Sequence, residues 1–556
     1  MSRQRGRGLR LVAVVVITIL LLLPFVNRAF HVDDTLFLYS ARQILKNPLR
    51  PYDFMLTWNV TEEHMWQVTM NPPLACYYSA AVTGLFGERE VPLHLAYLLA
   101  ALAASLGTYW LASRTSSNPF WSAVILVVCP GFLVTATGVS SDTLTLALYV
   151  LAVAAFVHGS QQNSWSVLML AGVLGGLATV SKYLGITVVP LLAVYSVLRE
   201  KRISARLLVL LIPLVVFAAW GAHGMYYYGQ PHFLQACAYR SKLLSGAPKP
   251  AFLPLARHSY FLVMTASFFA GALGPSIFLS LCVCKRRLWG LVVSVAAASV
   301  TGITVWLIRG FFGTVVTGST LPILLIFACG AGSFFCHCFR GIRSWSAERW
   351  LLTMWLTGIL VFCAFFNWAV AVRVVLFSLP PAAILLGIAI QNQDVKRAWV
   401  IALVGVTALL ALAVATADYR WAGSYRSAAR KVAGEFKGEG NTLYFHAHWG
   451  LQFYMEKAGG KYLVWSPKHG QYDDIKSGDQ LLLVLKALQN PSLQTAVDQQ
   501  WKNQTMRPLW ESVVYPFLGI HTQSNELRTG FYLATGPVPY SFSTRPCEIF
   551  VLFEQL

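Results

Sequence analysis

Charged residues are scarce in this chain of 556 residues, and acidic ones are the scarcest. Only 12% of the residues are charged, whereas 56% are hydrophobic, and the mean hydropathy is +0.56. A soluble chain of this length has too much surface to tolerate that balance. The apolar residues also fall in runs of about 20, the length that crosses the hydrocarbon of a bilayer as a helix. The composition therefore excludes an ordinary soluble protein and predicts an α-helical polytopic membrane protein.

The shortage of acidic residues leaves a net charge of +20, with 43 basic against 23 acidic side chains. The basic residues sit in short clusters between apolar runs, which is typical of topology signals and not of a phosphate-binding face. We therefore expect no nucleic-acid partner. Cysteines are also few, and most of the ten lie inside apolar runs, where a thiol acts as a small hydrophobe. This distribution argues against a disulfide framework.

The apolar runs predict about thirteen transmembrane helices. They lie near residues 9–27, 91–112, 119–136, 142–158, 165–181, 183–198, 206–228, 258–284, 288–308, 314–338, 350–370, 374–391 and 398–417. The first ten residues carry four arginines and no acid, and no small-x-small cleavage pattern follows Val26. We expect an uncleaved anchor with a cytoplasmic N-terminus.

Alternating the loops from a cytoplasmic N-terminus places the basic clusters inside, as the positive-inside rule requires. The inside clusters are Arg114; Arg199, Lys201, Arg202 and Arg206; Lys285, Arg286 and Arg287; Arg340, Arg343 and Arg349; and Lys396 and Arg397. A break at Lys182 is needed for this agreement, because one helix over 165–198 would invert every later loop. The segments 28–90, 229–257 and 418–556 then fall outside.

Two of these exterior segments have predicted structure of their own. In the first, residues 35–46 have helical spacing and predict an amphipathic helix on the membrane surface. In the tail, residues 442–446 and 480–485 favour strands and Trp449–Lys457 favours a helix. The sequence therefore predicts two domains: a transmembrane domain over 1–417 with exterior loop 28–90, and a small exterior α/β domain over 418–556.

Four ionisable residues are expected at the exterior face: Asp33 and Asp34 after the first span, Asp142 at the start of the fourth, and Lys182 at the end of the fifth. Ionisable groups at membrane depth are costly and usually face a cavity or a partner. Structural interpretations remain open, since the acids could be helix N-caps and the lysine could snorkel to the interface. Their convergence on one face favours a shared site.

Several segments resemble a known family. They are HVDDTLFLYSARQIL (31–45), MNPPLACYYSA (70–80), GVSSDTLTLAL (138–148), VSKYLGI (180–186), NWAVAVRVVLFSLPP (367–381) and TLYFHAHWGLQFYMEKAG (442–459). In order and placement they resemble enzymes of the glycosyltransferase C superfamily, in its protein O-mannosyltransferase and aminoarabinose-transferase-like bacterial branch. The resemblance implies a GT-C-like fold in a bacterial inner (plasma) membrane, with the tail domain periplasmic. It also implies inverting transfer of a sugar from a polyprenyl-phosphate donor to an exterior acceptor, which is a protein, a lipid or another glycan.

The resemblance assigns roles to the acids. Asp33 would be the general base or a metal ligand, with Asp34 as second candidate, and Asp142 would assist in the same cavity. Inverting displacement needs a carboxylate on the face opposite the leaving group. The leaving lipid phosphate needs cations, and Lys182, Arg373 and Arg240 are the candidates. The two arginines could instead be an interfacial anchor and a solvated loop cation.

Further residues could bind substrate or metal. His64, Asn71 and Tyr183 are expected to line the cavity. No cofactor is certain, and the sequence leaves open whether a divalent metal ion bridges Asp33 or Asp34 to the phosphate. His446 and His448 have zinc-like spacing, but ordinary packing or acceptor contact is the favoured interpretation. A transporter or flippase of a lipid-linked substrate is the alternative function, and a non-catalytic envelope-assembly component is a third.

Overall fold

The computed structural model describes residues 2–58, 62–115, 117–245, 253–283, 287–312, 318–340, 342–367, 369–392, 395–435, 441–447, 449–463, 475–485, 506–533 and 536–556. Lys285, Arg286 and His448, named above, lie outside these residues. The helices are α1 Ser2–Leu22, α2 Asp34–Lys46, α3 Met65–Val68, α4 Leu74–Phe86, α5 Glu90–Ala112, α6 Pro119–Val128, α7 Pro130–Ala136, α8 Ser141–Gln162, α9 Trp165–Ser181, α10 Val188–Glu200, α11 Leu211–Tyr228, α12 His232–Ser245, α13 Leu253–Leu273, α14 Leu279–Val283, α15 Arg287–Phe312, α16 Leu321–Cys338, α17 Ala347–Val361, α18 Val372–Val375, α19 Leu379–Asn392, α20 Arg397–Glu435 and α21 Trp449–Lys457.

The strands are short and lie in the first loop and the tail. They are β1 Met55–Thr57, β2 Glu62–His64, β3 Leu443–His446, β4 Lys461–Tyr462, β5 Gln480–Val484, β6 Met506–Val514, β7 Ile520–His521, β8 Gln523–Ser524, β9 Thr529–Gly530, β10 Ser541–Phe542 and β11 Glu548–Gln555. The fold is therefore a helical membrane domain with a small sheet-containing tail, as the sequence predicts.

Among the described residues, eleven helical segments are long and apolar enough to cross a membrane. They are Gly6–Phe25, Glu90–Ala112, Ser141–Gln162, Tyr183–Glu200, Ala205–Tyr228, His258–Cys282, Trp289–Trp306, Leu321–Cys338, Ala347–Phe366, Val372–Asn392 and Arg397–Glu435. The pair α6 and α7 forms a twelfth only if its 64° bend belongs to one span. The predicted count of about thirteen is not confirmed, since the remaining apolar run forms α9, a helix of 17 residues.

The predicted break at Lys182 is present. Helix α9 ends at Ser181, Lys182 is extended, and a 3₁₀ turn over Tyr183–Thr187 leads into α10. Gly185 packs so closely on α9 that a Cβ there would lie 2.4 Å from the carbonyl oxygen of Ala178. The two segments are thus separate helices joined by a tight turn, which places Lys182 at a helix end.

The first loop carries α2, where the sequence predicts a helix over 35–46. Its apolar side chains, including Phe37, Leu38 and Ile44, are buried in a cluster with α4 and with Phe453 of α21. Helical spacing of these apolar positions makes one face of α2 suited to burial. The helix therefore packs against the protein on that face. We call the end of the helical bundle that bears this loop the loop end.

The tail is organised around a five-stranded sheet in the order β4-β3-β5-β11-β6. Strands β4, β3 and β5 are parallel, whereas β11 runs antiparallel to both β5 and β6. The strands predicted at 442–446 and 480–485 and the helix Trp449–Lys457 are all present. In the sheet, His446 is buried, and its Nδ1 is 2.8 Å from the Leu463 carbonyl oxygen, which fits ordinary packing.

Helix α20 joins the membrane bundle to this sheet without interruption. Its 39 residues span about 58 Å at 1.5 Å per residue, nearly twice the thickness of the hydrocarbon. The predicted domain boundary at 417/418 falls inside it. The apolar part of the helix is continuous with its polar part, so the last span leads into the tail without a loop.

The tail also contacts the first loop directly. The Tyr39 hydroxyl donates to Glu456 at 2.7 Å, and Glu90 accepts from Arg426 at 3.2 Å and from the Tyr454 hydroxyl at 2.9 Å. At Gly450, in the first turn of α21, a Cβ would lie 2.0 Å from the carbonyl oxygen of Phe30. This close approach requires glycine, since backbone and not a flexible side chain occupies the space.

We predict that Gly450→Ala destabilises the protein by about 2 kcal/mol or more, because its methyl group must push α21 away from the first loop. The matched control is Gly423→Ala in α20, where nothing lies within 4 Å of the added Cβ. The control variant should have an unchanged stability or be stabilised by about 1 kcal/mol, because alanine has a higher helix propensity than glycine. Thermal unfolding of the purified protein in detergent measures both, and equal midpoints would contradict the close packing.

Candidate active site

A small cavity of about 30 Å³ lies at the loop end, where the first loop, the α7–α8 junction, α18 and the tail meet. Its lining includes Asp33, Asp34, Asn71, Asp142 and Arg373. The structure therefore brings together residues that are more than 300 positions apart in sequence. Tail residues Phe531 and Tyr532 close another side of the cavity.

Asp33 forms an ion pair with Arg373 across the cavity. The Asp33 side chain is 29% exposed and that of Arg373 is 21% exposed. Arg373 reaches this point because α17 ends in a π-helical turn over Phe362–Phe366, after which the chain restarts as α18. The backbone N–H of Val372 donates to the Phe531 carbonyl at 3.1 Å and fixes α18 to the tail. Such π turns recur at functional sites.

Asp142 forms the second ion pair of the cavity, with Lys182. The carboxylate projects from the first turn of α8, and the lysine lies at the C-cap of α9. The N-cap of α8 is Ser140, and no side-chain capping bond forms there, nor at Asp33, the N-cap of α2. The capping interpretation is therefore not supported, and Lys182 points at a carboxylate.

Asp34 is bound differently from the other two acids. One of its oxygens accepts from Arg28 at 3.1 Å and from the His31 backbone N–H at 2.9 Å, and the other accepts from the Val139 N–H at 3.0 Å. Its side chain is 6% exposed. Burial raises the pKa of Asp34 to about 7, although the Arg28 charge and the two backbone amides act in the opposite direction. This carboxylate ties the first loop to the α7–α8 junction.

Arg28 lies between Asp34 and a second carboxylate, Asp418 of α20, at 2.8 Å. The Tyr532 hydroxyl is 3.1 Å from the same guanidinium and donates to Asp418 at 2.8 Å, while Thr522 donates to Asp418 at 3.1 Å. Burial lowers the pKa of Arg28, but the hydroxyl oxygen of Tyr532 and the carboxylates of Asp418 and Asp34 outweigh it and raise the pKa above its usual value. The first loop, the last span and the tail thus meet at one buried cation.

His31 lines the cavity beside this network. Its ring lies 4.3 Å from that of Trp421 and 5.3 Å from that of Tyr425. Burial and the Arg28 charge hold the pKa of His31 well below its usual range, so the ring is neutral. It contributes packing and an uncharged polar edge to the cavity wall.

Three predicted residues are not part of the cavity lining: Lys182, which contacts it through Asp142, His64 and Tyr183. The His64 ring is 3.3 Å from Asp53, and its Nδ1 accepts from the backbone of Trp66. The Tyr183 hydroxyl is 2.6 Å from Nδ1 of His232, in an aromatic cluster that includes Phe217. The side chain of Arg240, in α12, lies outside the described residues.

The described residues include no group of three or more His, Cys, Asp or Glu side chains that could hold a metal ion. Asp33 and Asp34, the predicted ligands, are each paired with an arginine.

Sequence reasoning did not select Arg28, Asp418 or Tyr532. A signal existed for two of them, because Arg28 follows the first span directly and Asp418 adjoins the last apolar run, and ionisable groups at such depths need partners. No sequence pattern indicated a role for Tyr532, because its contacts depend on the tail folding back onto the bundle.

We predict that Asp418→Asn lowers the free energy of unfolding by about 3 kcal/mol, because it removes one of two carboxylates that compensate a buried guanidinium. The control is Glu435→Gln on the same helix, which breaks an exposed pair with Lys431 at 3.1 Å. Exposed pairs contribute less than about 1 kcal/mol. Unfolding in detergent compares the two, and equal losses would contradict the central role of Arg28.

Residues 70–223 match the family model described as dolichyl-phosphate-mannose-protein mannosyltransferase. The matched segment includes Asn71, Asp142 and Lys182, whereas Asp33 and Arg373 lie outside it. Among curated proteins no match is found.

Similar solved structures include the Archaeoglobus fulgidus oligosaccharyltransferase, with 14% identity and a TM-score of 0.44 over 83% of this chain and 62% of that one. The chain thus spans less than two thirds of that enzyme. ArnT from Cupriavidus metallidurans, bound to undecaprenyl phosphate, has 15% identity and a TM-score of 0.42 over 98% of each chain. Arabinofuranosyltransferase AftD from Mycobacteria has 11% identity and a TM-score of 0.41 over 99% of this chain and 40% of that one.

All of these TM-scores lie below 0.5. The family match stands on its own and covers three of the segments quoted above, at 70–80, 138–148 and 180–186. The similarity to membrane glycosyltransferases of the glycosyltransferase C superfamily, predicted from the sequence, is thereby confirmed over residues 70–223.

Proposed function

We propose that this protein transfers a sugar, with inversion, from a polyprenyl-phosphate donor to an acceptor on the exterior side of the membrane. One observation carries the proposal: Asp33, Asp142 and Arg373 line a single cavity at the loop end, and Lys182 is bound to Asp142. The description of the matched family names a lipid-phosphate sugar and supports that donor class. The prenyl chain of such a donor would remain in the bilayer.

Asp33 is the best candidate for the general base. Its side chain is 29% exposed, against 7% for Asp142 and 6% for Asp34. Both oxygens of Asp34 already accept hydrogen bonds that hold the fold together. A base must reach the proton that it abstracts, so accessibility to the cavity favours Asp33.

The cations of the cavity suit the leaving group. A guanidinium offers several N–H donors in a planar fork that matches phosphate oxygens, and Lys182 adds a compact positive charge. In the proposed complex, the donor phosphate competes with Asp33 for Arg373. The carboxylate then becomes available as Arg373 turns towards the phosphate.

The proposed reaction is a single displacement at the anomeric carbon. The acceptor heteroatom forms a bond to that carbon while its proton passes to Asp33. The bond between the carbon and the phosphate oxygen breaks, and the electron pair leaves with the polyprenyl phosphate. Arg373 and Lys182 stabilise the charge that develops on that oxygen, and Asp142 holds Lys182 in place. The sequence leaves a divalent metal ion open; if one binds here, Asp33 is the carboxylate that would hold it, because it remains accessible to the cavity, and the ion would add positive charge for the phosphate.

We predict that Asp33→Asn abolishes transfer without weakening donor binding, because the amide cannot accept the proton and competes less with the donor phosphate for Arg373; general base catalysis contributes about 100-fold to 10,000-fold. The assay supplies labelled polyprenyl-phosphate sugars to membranes and identifies the labelled acceptor. The control is Glu62→Gln, an exposed acid of the same loop. Full activity of Asp33→Asn would refute the assignment, and substrate counterflow without product would favour a transporter.

We also predict that Arg373→Gln raises KM for the donor about tenfold or more, since a charge-assisted hydrogen bond contributes about 1.5–3 kcal/mol. Arg373→Lys should recover part of this loss by restoring the charge without the planar fork. Arg420→Gln is the matched control, because Arg420 is an exposed arginine that stacks on Phe517 outside the cavity. An unchanged KM in Arg373→Gln, with only kcat reduced, would contradict phosphate binding by this residue.

A further inference from the structure

A second cavity lies at the opposite end of the bundle and is unexplained by the proposed reaction. It has a volume of about 640 Å³ and lies between the α5–α6 turn, the end of α8, the α16–α17 connection and the end of α19. Along α8, Asp142 of the catalytic cavity and Gln161 of this one are separated by about 28 Å, at 1.5 Å per residue. The two cavities are therefore independent sites.

The walls of this cavity are basic. Arg114, Arg340 and Arg349 line it, and the one acid in the lining, Glu348, is paired with Arg199 at 2.9 Å. Its net charge is accordingly positive. Arg349 is held in place by a 3.0 Å hydrogen bond to the Cys338 carbonyl and by Trp345, whose ring lies 5.7 Å from the guanidinium.

Two buried nitrogen atoms of the lining lack hydrogen-bond partners among the described residues. They are Nε of Arg114 and Nδ1 of His337, and the His337 side chain is nine-tenths buried. Buried polar atoms are nearly always hydrogen-bonded, so each exception calls for an explanation. Hydroxyl groups of Thr115 and Ser346 lie in the same wall.

Simple topology signals do not account for this arrangement. The positive-inside rule requires arginines near helix ends, but they can lie anywhere on the exposed loops, as Arg202 does. Here arginines from two separate helix connections converge on one concavity together with a buried imidazole. Basic pockets between transmembrane helices are suited to phosphate-bearing head groups.

We propose that this cavity binds a phosphate group, carried by an anionic phospholipid head group or by a free phosphate. Arg114, Arg340 and Arg349 supply the positive charge that binds it, and the buried His337 lies in the same wall. The aromatic pair Trp345 and Trp350, with ring centroids 4.8 Å apart, lies beside it at the expected level of a membrane interface. The site is separate from the proposed catalysis, so either proposal can fail without the other.

The test measures binding to the full-length protein in neutral detergent at constant ionic strength. Inorganic phosphate is titrated against chloride, and short-chain phosphatidylglycerol against phosphatidylcholine, with thermal unfolding and native mass spectrometry as readouts. We expect Arg114→Gln to weaken binding about tenfold, because the loss of one charge-assisted hydrogen bond lowers an affinity by about that factor. Asn392→Glu, an exposed change at the rim, should weaken it by repulsion without disturbing packing.

The control is Arg202→Gln, which removes an exposed charge outside the lining at the same end of the bundle. It should bind like the unmodified protein. Binding of phosphate alone would identify a free anion, and binding of phosphatidylglycerol would identify a lipid head group; both support the site. If neither probe binds, or if Arg202→Gln weakens binding as much as Asn392→Glu does, the proposal is overturned.

Discussion

The buried guanidinium of Arg28 is the interaction on which the rest of the structure depends. It is 1% exposed and lies between Asp34 of the first loop and Asp418 of the last span. The nitrogen that binds Asp418 also donates to the hydroxyl of Tyr532 in the tail. A buried charge without partners is very costly, so these three parts of the chain must assemble together. The catalytic cavity forms where they meet, and its shape is set by that requirement.

In this arrangement the two adjacent acids of the first loop have different roles. Asp34 has a structural role, because it accepts hydrogen bonds from Arg28 and from two backbone amides. Asp33, one residue earlier, is left facing the cavity, with Arg373 as its partner. Neighbouring carboxylates therefore have different chemistry because one points into the protein and the other into the cavity. The sequence alone treats them as near equivalents, because nothing in the pair Asp-Asp says which one will be buried.

Local sequence patterns were the basis for predicting the helices and strands. Apolar runs located the helices, charge alternation located the break at Lys182, and period and turn signals located α2, α21, β3 and β5. What sequence reasoning could not supply were contacts that depend on long-range docking. Arg373 was named as a cation, but its pairing with Asp33 requires the π turn after α17. Tyr183 was expected in the cavity, yet its hydroxyl contacts His232 and Trp220 in an aromatic cluster.

The pairing of each carboxylate with a cation also affects the order in which donor and acceptor would bind in the proposed reaction. A cavity with low polarity around it cannot hold unpaired acids cheaply, so Asp33 without substrate is compensated by Arg373 and Asp142 by Lys182. A carboxylate held by a guanidinium has its oxygen atoms occupied, and one that loses this partner can hydrogen-bond to another group. If the donor phosphate takes Arg373, the same event that binds the leaving group frees Asp33 to contact the acceptor. An acceptor that arrived first would meet a carboxylate still occupied by Arg373, so the geometry favours donor binding before acceptor activation.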